Sequence, residues 1–284
     1  MGKIFDALEK SKSENTVQGY LSENTEDHTA IDDKRKITLD EHNRIETKDL
    51  NRNLITLLRP WSIEAEQFKM LKTNVLFPAS GKPPRVIMVT SAIPGDGKSF
   101  VSANMAISIS QNIDDHVLLV DCDLRIPVLH KHFGLGKVPG LSEHLSLGVP
   151  LSKLICKTKV SKLSILPGGT PPHNPAELLT SEQMSAFIRD VRAKYSDRYV
   201  IIDSAPPQLT AEGNALARLV DAIIIVVKYR GTPRKFVKDL IEDLGKEKFV
   251  GVVINQFDMK SSAYYGLGKY DKYSKYYGMY KKDA

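Results

Sequence analysis

The fold is decided by Ala92-Ile93-Pro94-Gly95-Asp96-Gly97-Lys98-Ser99. This stretch follows an apolar run at Val86–Thr90 that predicts a buried strand, and it opens a predicted helix at Lys98–Gln111. Small residues in such a turn let backbone N–H groups close around a phosphate, while a lysine reaches the β and γ oxygens and a hydroxyl binds Mg²⁺. We therefore expect a phosphate-binding loop for ATP and Mg²⁺. The expected nucleotide-binding residues are Ile93, Pro94, Gly95, Asp96, Gly97, Lys98, Ser99 and Phe100.

Two further apolar runs end in aspartates. Tyr199–Asp203 ends at Asp203, and Val117–Asp121 is followed two residues later by Asp123. Because ligands bind at the carboxyl ends of parallel strands, we expect these carboxylates beside the phosphate loop. Alternation along the strand would point Asp121 and Asp123 to the same side. Two carboxylates so close together are expected beside a bound cation and a group that loses a proton. The predicted metal ligands are Ser99, Asp121 and Asp203.

The rest of the pattern alternates short apolar runs with helical segments. Ser181–Tyr195 predicts a helix with Ser181 as its cap. The apolar runs show no polar alternation, which indicates strands covered on both faces. We expect an α/β fold, with a doubly wound, mostly parallel sheet of the deviant Walker type of P-loop NTPase. The other predicted strands are Ser164–Pro167, Ala222–Val227 and Val250–Asn255, and Asn255 is expected to contact the adenine edge.

The bulk composition is that of a globular protein. The 284 residues are 42% hydrophobic and 26% charged. The longest apolar run, Ala222–Val227, is far shorter than the roughly 20 residues that cross a bilayer, and the N-terminus has no apolar signal core. Cys122 and Cys156 have no metal-ligand spacing and predict a reducing compartment. We expect a cytoplasmic chain that reaches the inner membrane through a partner.

The chain divides into three parts by composition. Residues 1–60 begin with a short amphipathic helix that includes Ile4, Phe5 and Leu8, and continue in a polar stretch that is expected to be largely disordered. Residues 61–257 carry the strand and helix pattern and form the predicted P-loop domain. Residues 258–284 have no core pattern and are expected to form a flexible tail.

Three motifs resemble the Walker A, A′ and B motifs of the bacterial tyrosine autokinases of capsule and exopolysaccharide synthesis. They are residues 94–99, Val120-Asp121-Cys122-Asp123-Leu124-Arg125 and Ile201-Ile202-Asp203-Ser204-Ala205-Pro206-Pro207. With Asn174-Pro175-Ala176-Glu177-Leu178-Leu179 and the tyrosines of the tail, the resemblance covers about residues 60–284. The opening residues 2–10 resemble the exosortase-linked branch of that family.

The resemblance implies roles for the site residues. Lys98 would stabilise the transferring phosphate, and Asp203 would hold the metal through water. Asp121 and Asp123 would serve catalysis, one of them by accepting the tyrosine proton. The Walker B motif departs from the family pattern, because its proline pair lies one residue later, at Pro206-Pro207.

The resemblance also implies partners. The family forms ring-shaped oligomers through a Glu-x-x-Arg-x-x-Arg helix, for which this chain offers Glu66, Lys69 and Lys72. Lysine cannot reproduce the bidentate fork of arginine, so this departure bears on ring assembly. The implied activator is a membrane-spanning polysaccharide chain-length regulator, which we expect on a separate chain.

Tyrosines are concentrated in the tail, interleaved with lysines and glycines. Such a strip could stack single-stranded nucleic acid, could be inert low-complexity sequence, or could deliver acceptor hydroxyls to a kinase site. The kinase-like motifs favour the third interpretation, without a nucleic-acid partner. The predicted phosphoacceptors are Tyr264, Tyr265, Tyr270, Tyr273, Tyr276, Tyr277 and Tyr280.

Two rival functions share this fold. A switch ATPase of the partition and division-site type carries an extra lysine near the start of the phosphate loop, where this chain has Ser91, Ala92 and Ile93. A scaffold without catalysis would keep the loop for assembly alone. The sequence therefore favours an ATP-dependent protein-tyrosine autokinase that acts on its own tail and regulates exopolysaccharide synthesis, with the switch ATPase as the alternative.

Overall fold

The computed structural model describes residues 50–78, 81–194, 198–210 and 212–257. The predicted helix at Ile4–Leu8 and the seven tail tyrosines lie outside these ranges. The strands are β1 Val86–Ser91, β2 His116–Asp121, β3 Cys156–Lys157, β4 Leu163–Leu166, β5 Arg198–Asp203, β6 Ala222–Lys228 and β7 Phe249–Asn255. The helices are α1 Ile55–Leu58, α2 Ile63–Leu76, α3 Lys98–Ser110, α4 Leu129–His132, α5 Leu141–Leu147, α6 Pro175–Leu179, α7 Glu182–Lys194, α8 Glu212–Leu219 and α9 Arg234–Leu244.

The strands form one sheet in the order β3-β4-β2-β5-β1-β6-β7. Neighbouring strands run parallel except β3 and β4, which pair antiparallel at one edge. Parallel neighbours require helical crossovers, and these place helices on both faces of the sheet. The predicted α/β, doubly wound and mostly parallel fold is confirmed.

Two apolar clusters cover the two faces of the sheet. Alternate residues of β1 divide between them, with Ile87 and Val89 in one cluster and Val86 and Met88 in the other. The first cluster includes side chains of α2 and α3, and the second includes side chains of α7, α8 and α9. Because side chains of a strand point alternately to the two faces, a continuous apolar run is what a doubly covered strand needs.

The edge strand β7 differs from the prediction that every strand is covered on both faces. Its residues alternate between partly buried and exposed, and Val250, Val252 and Ile254 are exposed. Val253, on the other side, packs against the first cluster. β-Branched residues favour a strand on either kind of surface, so the apolar run alone did not reveal that one face of β7 is open.

The packed region begins before the predicted boundary at residue 61. Leu50 and Leu54 are buried in the first apolar cluster, and the backbone N–H of Thr56 in α1 donates to Asn104 Oδ1 at 2.9 Å. The predicted cap at Ser181 is present, since Ser181 Oγ accepts from Met184 N at 3.2 Å. Ser62 Oγ likewise caps α2 by accepting from Ala65 N at 3.1 Å. None of the described helices is both long and apolar enough to cross a membrane.

Candidate functional site

The phosphate loop joins β1 to α3 at the carboxyl edge of the sheet. Gly95 and Gly97 have φ angles of +84° and +92°, a conformation that glycine adopts without steric cost. Gly97 precedes α3, so the positive end of the helix dipole and its free N–H groups face the loop. Lys98 and Ser99 open the helix, where the motif requires a lysine and a hydroxyl.

The loop is fastened to the strands beside it through Asp96. The Asp96 carboxylate is buried, and its Oδ1 accepts from Thr232 Oγ at 2.7 Å and from Lys228 N at 3.3 Å. Asn255, at the end of β7, donates its side-chain amide to Asp96 O at 2.8 Å. These contacts tie the loop to the ends of β6 and β7, and they give Asp96 a bracing role in this structure.

Three aspartates meet beneath the loop. Asp121 and Asp203 are paired residues of β2 and β5, and Asp123 follows β2. Asp123 Oδ2 forms an ion pair with Lys98 Nζ at 3.1 Å. Asp203 Oδ1 accepts from Ser102 Oγ at 3.2 Å. The structure therefore brings together all four predicted catalytic residues.

Asp121 is held differently from its neighbours. Its Oδ2 accepts backbone N–H groups of Val128 and Leu129, each at 3.0 Å, and its Oδ1 accepts from Asp123 N at 3.2 Å. These bonds fix the turn that leads from β2 into α4. Asp121 thus positions the segment that carries Asp123, while its predicted catalytic and metal-binding roles stay predictions.

Burial raises the pKa values of two of these acids. Desolvation raises the pKa of Asp203 to about 6, opposed chiefly by the nearby charge of Lys98. Desolvation, followed by the charge of Asp203, raises the pKa of Asp121 well above its usual range. Two buried carboxylates side by side repel one another, and a cation between them and a phosphate would relieve that repulsion.

The donor set fits a magnesium ion held together with phosphate. Asp203 Oδ2 is buried with no hydrogen-bond partner among the described residues, and Ser99 lies close enough to lower the pKa of that carboxyl. The described residues contain no cluster of three or more His, Cys, Asp or Glu that would make a complete metal site. Mg²⁺ needs no such cluster, because it binds through one or two carboxylates plus phosphates and waters.

A cavity of about 1160 Å³ opens beside the loop. It is lined by the loop, by polar and apolar residues of α2 and by the end of β7, including Asn255. Phe100 is also part of its wall and meets Phe68 of α2 edge to face, with ring centroids 5.7 Å apart. A largely apolar cavity beside a phosphate loop is suited to a nucleoside. Asn255 lies at this cavity, and its contact with adenine remains a prediction.

An ion pair lies near Asp123 of the acidic centre. Arg125 Nε contacts Glu212 Oε1 at 2.9 Å, and Glu212 is buried at the start of α8. The hydrogen bond to Glu212 raises the pKa of Arg125, and the charge of Asp123 adds to that effect. Glu212 therefore holds a guanidinium close to the proposed reaction centre.

The predicted oligomerisation residues lie on α2. Lys69 Nζ pairs with Glu66 Oε2 at 3.1 Å within the helix. Lys72 Nζ instead donates to Asn112 Oδ1 at 2.8 Å, and burial, followed by the charge of Lys69, lowers the pKa of Lys72. Two of the three residues thus pair with each other, and Lys72 is engaged by the segment after α3.

Sequence reasoning missed several residues that shape the site. Thr232, Ser102 and Glu212 belong to no motif that marks them, and each acts through a partner distant in sequence. Thr232 is 136 positions from Asp96, and Ser102 is 101 positions from Asp203. Only the folded sheet brings such pairs together.

Residues 87–266 match the family model described as the CobQ/CobB/MinD/ParA nucleotide binding domain. The chain is 31% identical over 219 residues to the tyrosine-protein kinase YwqD of Bacillus subtilis, a match that covers 76% of this chain and 91% of that protein. It is 34% identical over 228 residues to the succinoglycan biosynthesis transport protein ExoP of Rhizobium meliloti, covering 77% of this chain and 29% of ExoP.

A solved structure shows the same similarity in three dimensions. The kinase domain of the Escherichia coli tyrosine kinase ETK superposes with a TM-score of 0.70 at 27% identity. This match covers 80% of the present chain and 89% of the ETK domain.

Proposed function

The chain belongs to the bacterial tyrosine-protein kinases of exopolysaccharide synthesis, and from this membership we propose that it transfers the γ-phosphoryl group of Mg-ATP to tyrosines of its own tail. One observation carries the proposal: Lys98 and Asp123 are paired at 3.1 Å next to Asp203, at the mouth of a phosphate loop. Transfer of a phosphoryl group to a hydroxyl requires a cation that binds the phosphate and a carboxylate that accepts the hydroxyl proton, and here the two lie within reach of one another.

Asp123 is the best-placed base of the three acids. It retains slight exposure, whereas Asp121 and Asp203 are fully buried. Asp121 is also occupied by three backbone N–H groups. A triphosphate in the loop would compete with Asp123 for Lys98, and the freed carboxylate could then accept the proton of a tyrosine hydroxyl.

Bound Mg²⁺ would neutralise charge on the β- and γ-phosphates. Ser99 and Asp203 are the residues expected to hold it, because the hydroxyl and the unpartnered Asp203 Oδ2 supply the hard oxygen ligands that it prefers. Lys98 would bind the transferring phosphoryl group, and the N-terminus of α3 would contribute backbone N–H groups.

The proposed acceptors are the seven tyrosines between Tyr264 and Tyr280. The expected route is transfer between subunits of a homo-oligomer, because the sequence of this segment contains glycines, the residues that restrict the backbone least. The similarity to a succinoglycan biosynthesis transport protein supports a place in polysaccharide export. A membrane-spanning chain-length regulator is the proposed activator, which would bring this chain to the inner membrane.

The switch ATPase remains the second candidate because it shares the nucleotide-binding domain. Ser91, Ala92 and Ile93 stand where such an ATPase has its cross-subunit lysine. In this structure Ser91 Oγ donates to Ile93 O at 2.7 Å, which closes the start of the loop upon itself. This observation favours the kinase.

Mapping of phosphotyrosine by mass spectrometry tests the proposal. The full chain is incubated with Mg-ATP, beside the variants Lys98→Met and Lys153→Met; Lys153 is an exposed lysine elsewhere on the domain. We expect phosphate on tyrosines between Tyr264 and Tyr280, a loss of at least about 100-fold in Lys98→Met, and no change in Lys153→Met.

Two outcomes would count against the kinase. The absence of phosphotyrosine in the tail, or equal labelling of Lys98→Met and the unmodified chain, would refute the proposed reaction. ATP hydrolysis without tyrosine labelling would favour the switch ATPase.

A further inference from the structure

A second groove lies between α9 and the exposed face of β7, and Ile254 lines both this groove and the cavity of the phosphate loop. The second groove has a volume of about 670 Å³. Val237 and Ile241 of α9 form one apolar wall, and Val252 and Ile254 of β7 form the other. The side chains of Val252 and Ile254 remain 43% and 59% exposed, so this apolar surface is available to a ligand.

The edge of β7 adds backbone groups to this surface. Among the described residues β7 pairs with β6 alone, so its outer N–H and C=O groups have no strand beside them. An unpaired edge of this kind accepts an extended peptide, whose main chain supplies hydrogen bonds while its side chains enter the adjoining groove. The geometry fits an extended segment better than a compact ligand.

The rim of the groove is strongly basic. Glu242 is the single acid among the charged lining residues, and it lies 3.8 Å from Lys238. A surface with this excess of guanidinium and ammonium groups recognises phosphate, and arginine does so with two parallel hydrogen bonds. The basic lining residues are Lys228, Arg230, Arg234, Lys238 and Lys246.

The tail begins beside a residue of this groove, at Phe257, which itself lines the cavity of the phosphate loop. Phe257, the last described residue, packs against Tyr229 with ring centroids 4.6 Å apart, and Tyr229 lines the groove. The 27 residues of the tail therefore start within reach of the basic rim. A ligand tethered so closely has an effective concentration in the millimolar range.

Phosphorylation would change the sign of the tail's charge. Its six lysines and three aspartates give a formal charge of +3, which the basic groove repels. Each phosphotyrosine adds about −1.5 to −2 charges, so two or three of them are enough to reverse that repulsion. The aromatic rings would at the same time suit the apolar walls.

We propose that the groove between α9 and β7 is a phosphotyrosine-binding site for the tail of the same chain. The phosphorylated tail lies as an extended segment along the edge of β7, with its phosphates on Arg230 and Arg234. Docking there removes a modified tail from the pool of acceptors, so the groove acts as a product-binding site for the kinase. The inference rests on the proposed function for the source of the phosphate.

A binding experiment with the full chain tests this site. Its seven tail tyrosines are replaced by phenylalanine, so that no tail can be phosphorylated. The probe is a fluorescent synthetic peptide of residues 262–280 with phosphate on Tyr270, Tyr273 and Tyr277, and its anisotropy is compared with that of the unphosphorylated peptide. We expect at least tenfold tighter binding of the phosphopeptide, and weaker binding as salt is raised.

Matched variants locate the site. Arg230→Gln with Arg234→Gln should weaken phosphopeptide binding at least tenfold. The control, Arg189→Gln with Lys153→Gln, removes two exposed charges elsewhere and should leave it unchanged. In a chain with native tyrosines, prior phosphorylation should weaken capture of the added phosphopeptide at least tenfold, because the tail then occupies the groove.

Three results would overturn the proposal. These are equal affinity for the two peptides, full binding by the Arg230/Arg234 variant, and unchanged capture after phosphorylation of the native tail. Dimerisation that Val252→Thr abolishes, without phosphopeptide binding, would assign the groove to a second copy instead. Since the peptide is synthetic, its binding is measured whether or not the chain phosphorylates itself. Failure of the proposed binding site can therefore be distinguished from failure of the proposed kinase function.

Discussion

At the residue scale, Asp203 shows how a functional group can oppose stability. Its carboxyl is fully buried, and Ser102 is the hydrogen-bond donor that the structure places on its Oδ1. The charge that a cation would need is present at neutral pH, although burial favours the neutral form of the carboxyl. Without a cation, folding must therefore overcome the cost of an ionised Asp203 at neutral pH.

Asp203→Asn should stabilise the nucleotide-free protein at pH 7.5. The pKa of Asp203 is raised from 3.8 in the reference state to about 6 in the fold, so between these values the native state binds more protons than the unfolded chain. Stability from this group then falls as pH rises from about 4 to about 6 and stays low above that. The gain in unfolding free energy should reach about 2 to 3 kcal/mol at pH 7.5.

Thermal unfolding of both proteins at pH 4.5 and pH 7.5, without nucleotide or metal, measures this difference. The advantage of Asp203→Asn should shrink towards the lower pH, while Asp114→Asn on an exposed turn should have no such effect. An advantage that does not vary with pH would show that ionisation of Asp203 is not its cause. Tyrosine labelling should be lost in the same variant.

At the element scale, the phosphate loop owes its shape to two glycines with different surroundings. Both have positive φ, but a Cβ on Gly95 would meet open space, whereas a Cβ on Gly97 would collide with the side-chain amide of Asn255. That amide is held by Asp96 O and cannot move without losing its hydrogen bond. A substitution at Gly95 therefore introduces backbone strain alone, whereas one at Gly97 introduces backbone strain and a steric clash.

Gly97→Ala should destabilise the protein more than Gly95→Ala. The strained φ costs about 1 kcal/mol at either position, and at Gly97 the displaced Asn255 loses a hydrogen bond worth about 1 kcal/mol more. Urea unfolding of the two variants measures the difference. Repeating both substitutions in an Asn255→Ala background completes a double-mutant cycle, in which the difference should largely vanish. A difference that persists there would mean that Asn255 does not brace the loop.

The two faces of the edge strand β7 have different surroundings. Val253 packs against the core, while Val252 faces the basic groove. A strand in the middle of the sheet, such as β1, has no comparable face because helices cover both of its sides. The same type of apolar run is therefore buried on both faces in one strand and open on one face in another, where the proposed recognition would take place.

At the scale of the whole molecule, the assembly predicted from the sequence would depend on α2. Glu66 and Lys69 are partly exposed and form an ion pair within the helix, so a neighbouring subunit could exchange partners with either. Lys72 is engaged by Asn112 and is less available for such an exchange. The assembly predicted from the sequence therefore rests on two of its three residues.

Glu66→Ala with Lys69→Ala should lower the mean mass of the assembly towards that of one 31.7 kDa chain. Loss of charges that pair across an interface removes contacts from every subunit boundary of a closed oligomer at once. Light scattering after size-exclusion chromatography measures the mass, with Glu182→Ala and Arg189→Ala as the control because they form an exposed ion pair on α7. An equal mass for both double variants would exclude α2 from the interface.

The sequence predicted the sheet and the phosphate loop because both depend on neighbours in the chain. The run into Asp203 identifies a buried strand with an acid at its end, and the context of Lys98 identifies the loop. It could not predict that Asp121 would cap a turn at Val128, nor that Thr232 would hold Asp96. Such contacts arise where separate strands end side by side, and local patterns carry no information about them.

The hydrogen bond between Asn255 and Asp96 can form only late in the synthesis of the chain. The two residues are 159 positions apart, and a ribosome adds about 5 to 20 residues per second, so roughly 8 to 30 s pass between their additions. During that interval the residues of α3 are added and β1 gains its neighbours β5 and β6, but the loop between β1 and α3 still lacks its amide brace. A growing chain therefore acquires a finished nucleotide site only when the last strand of its sheet has emerged.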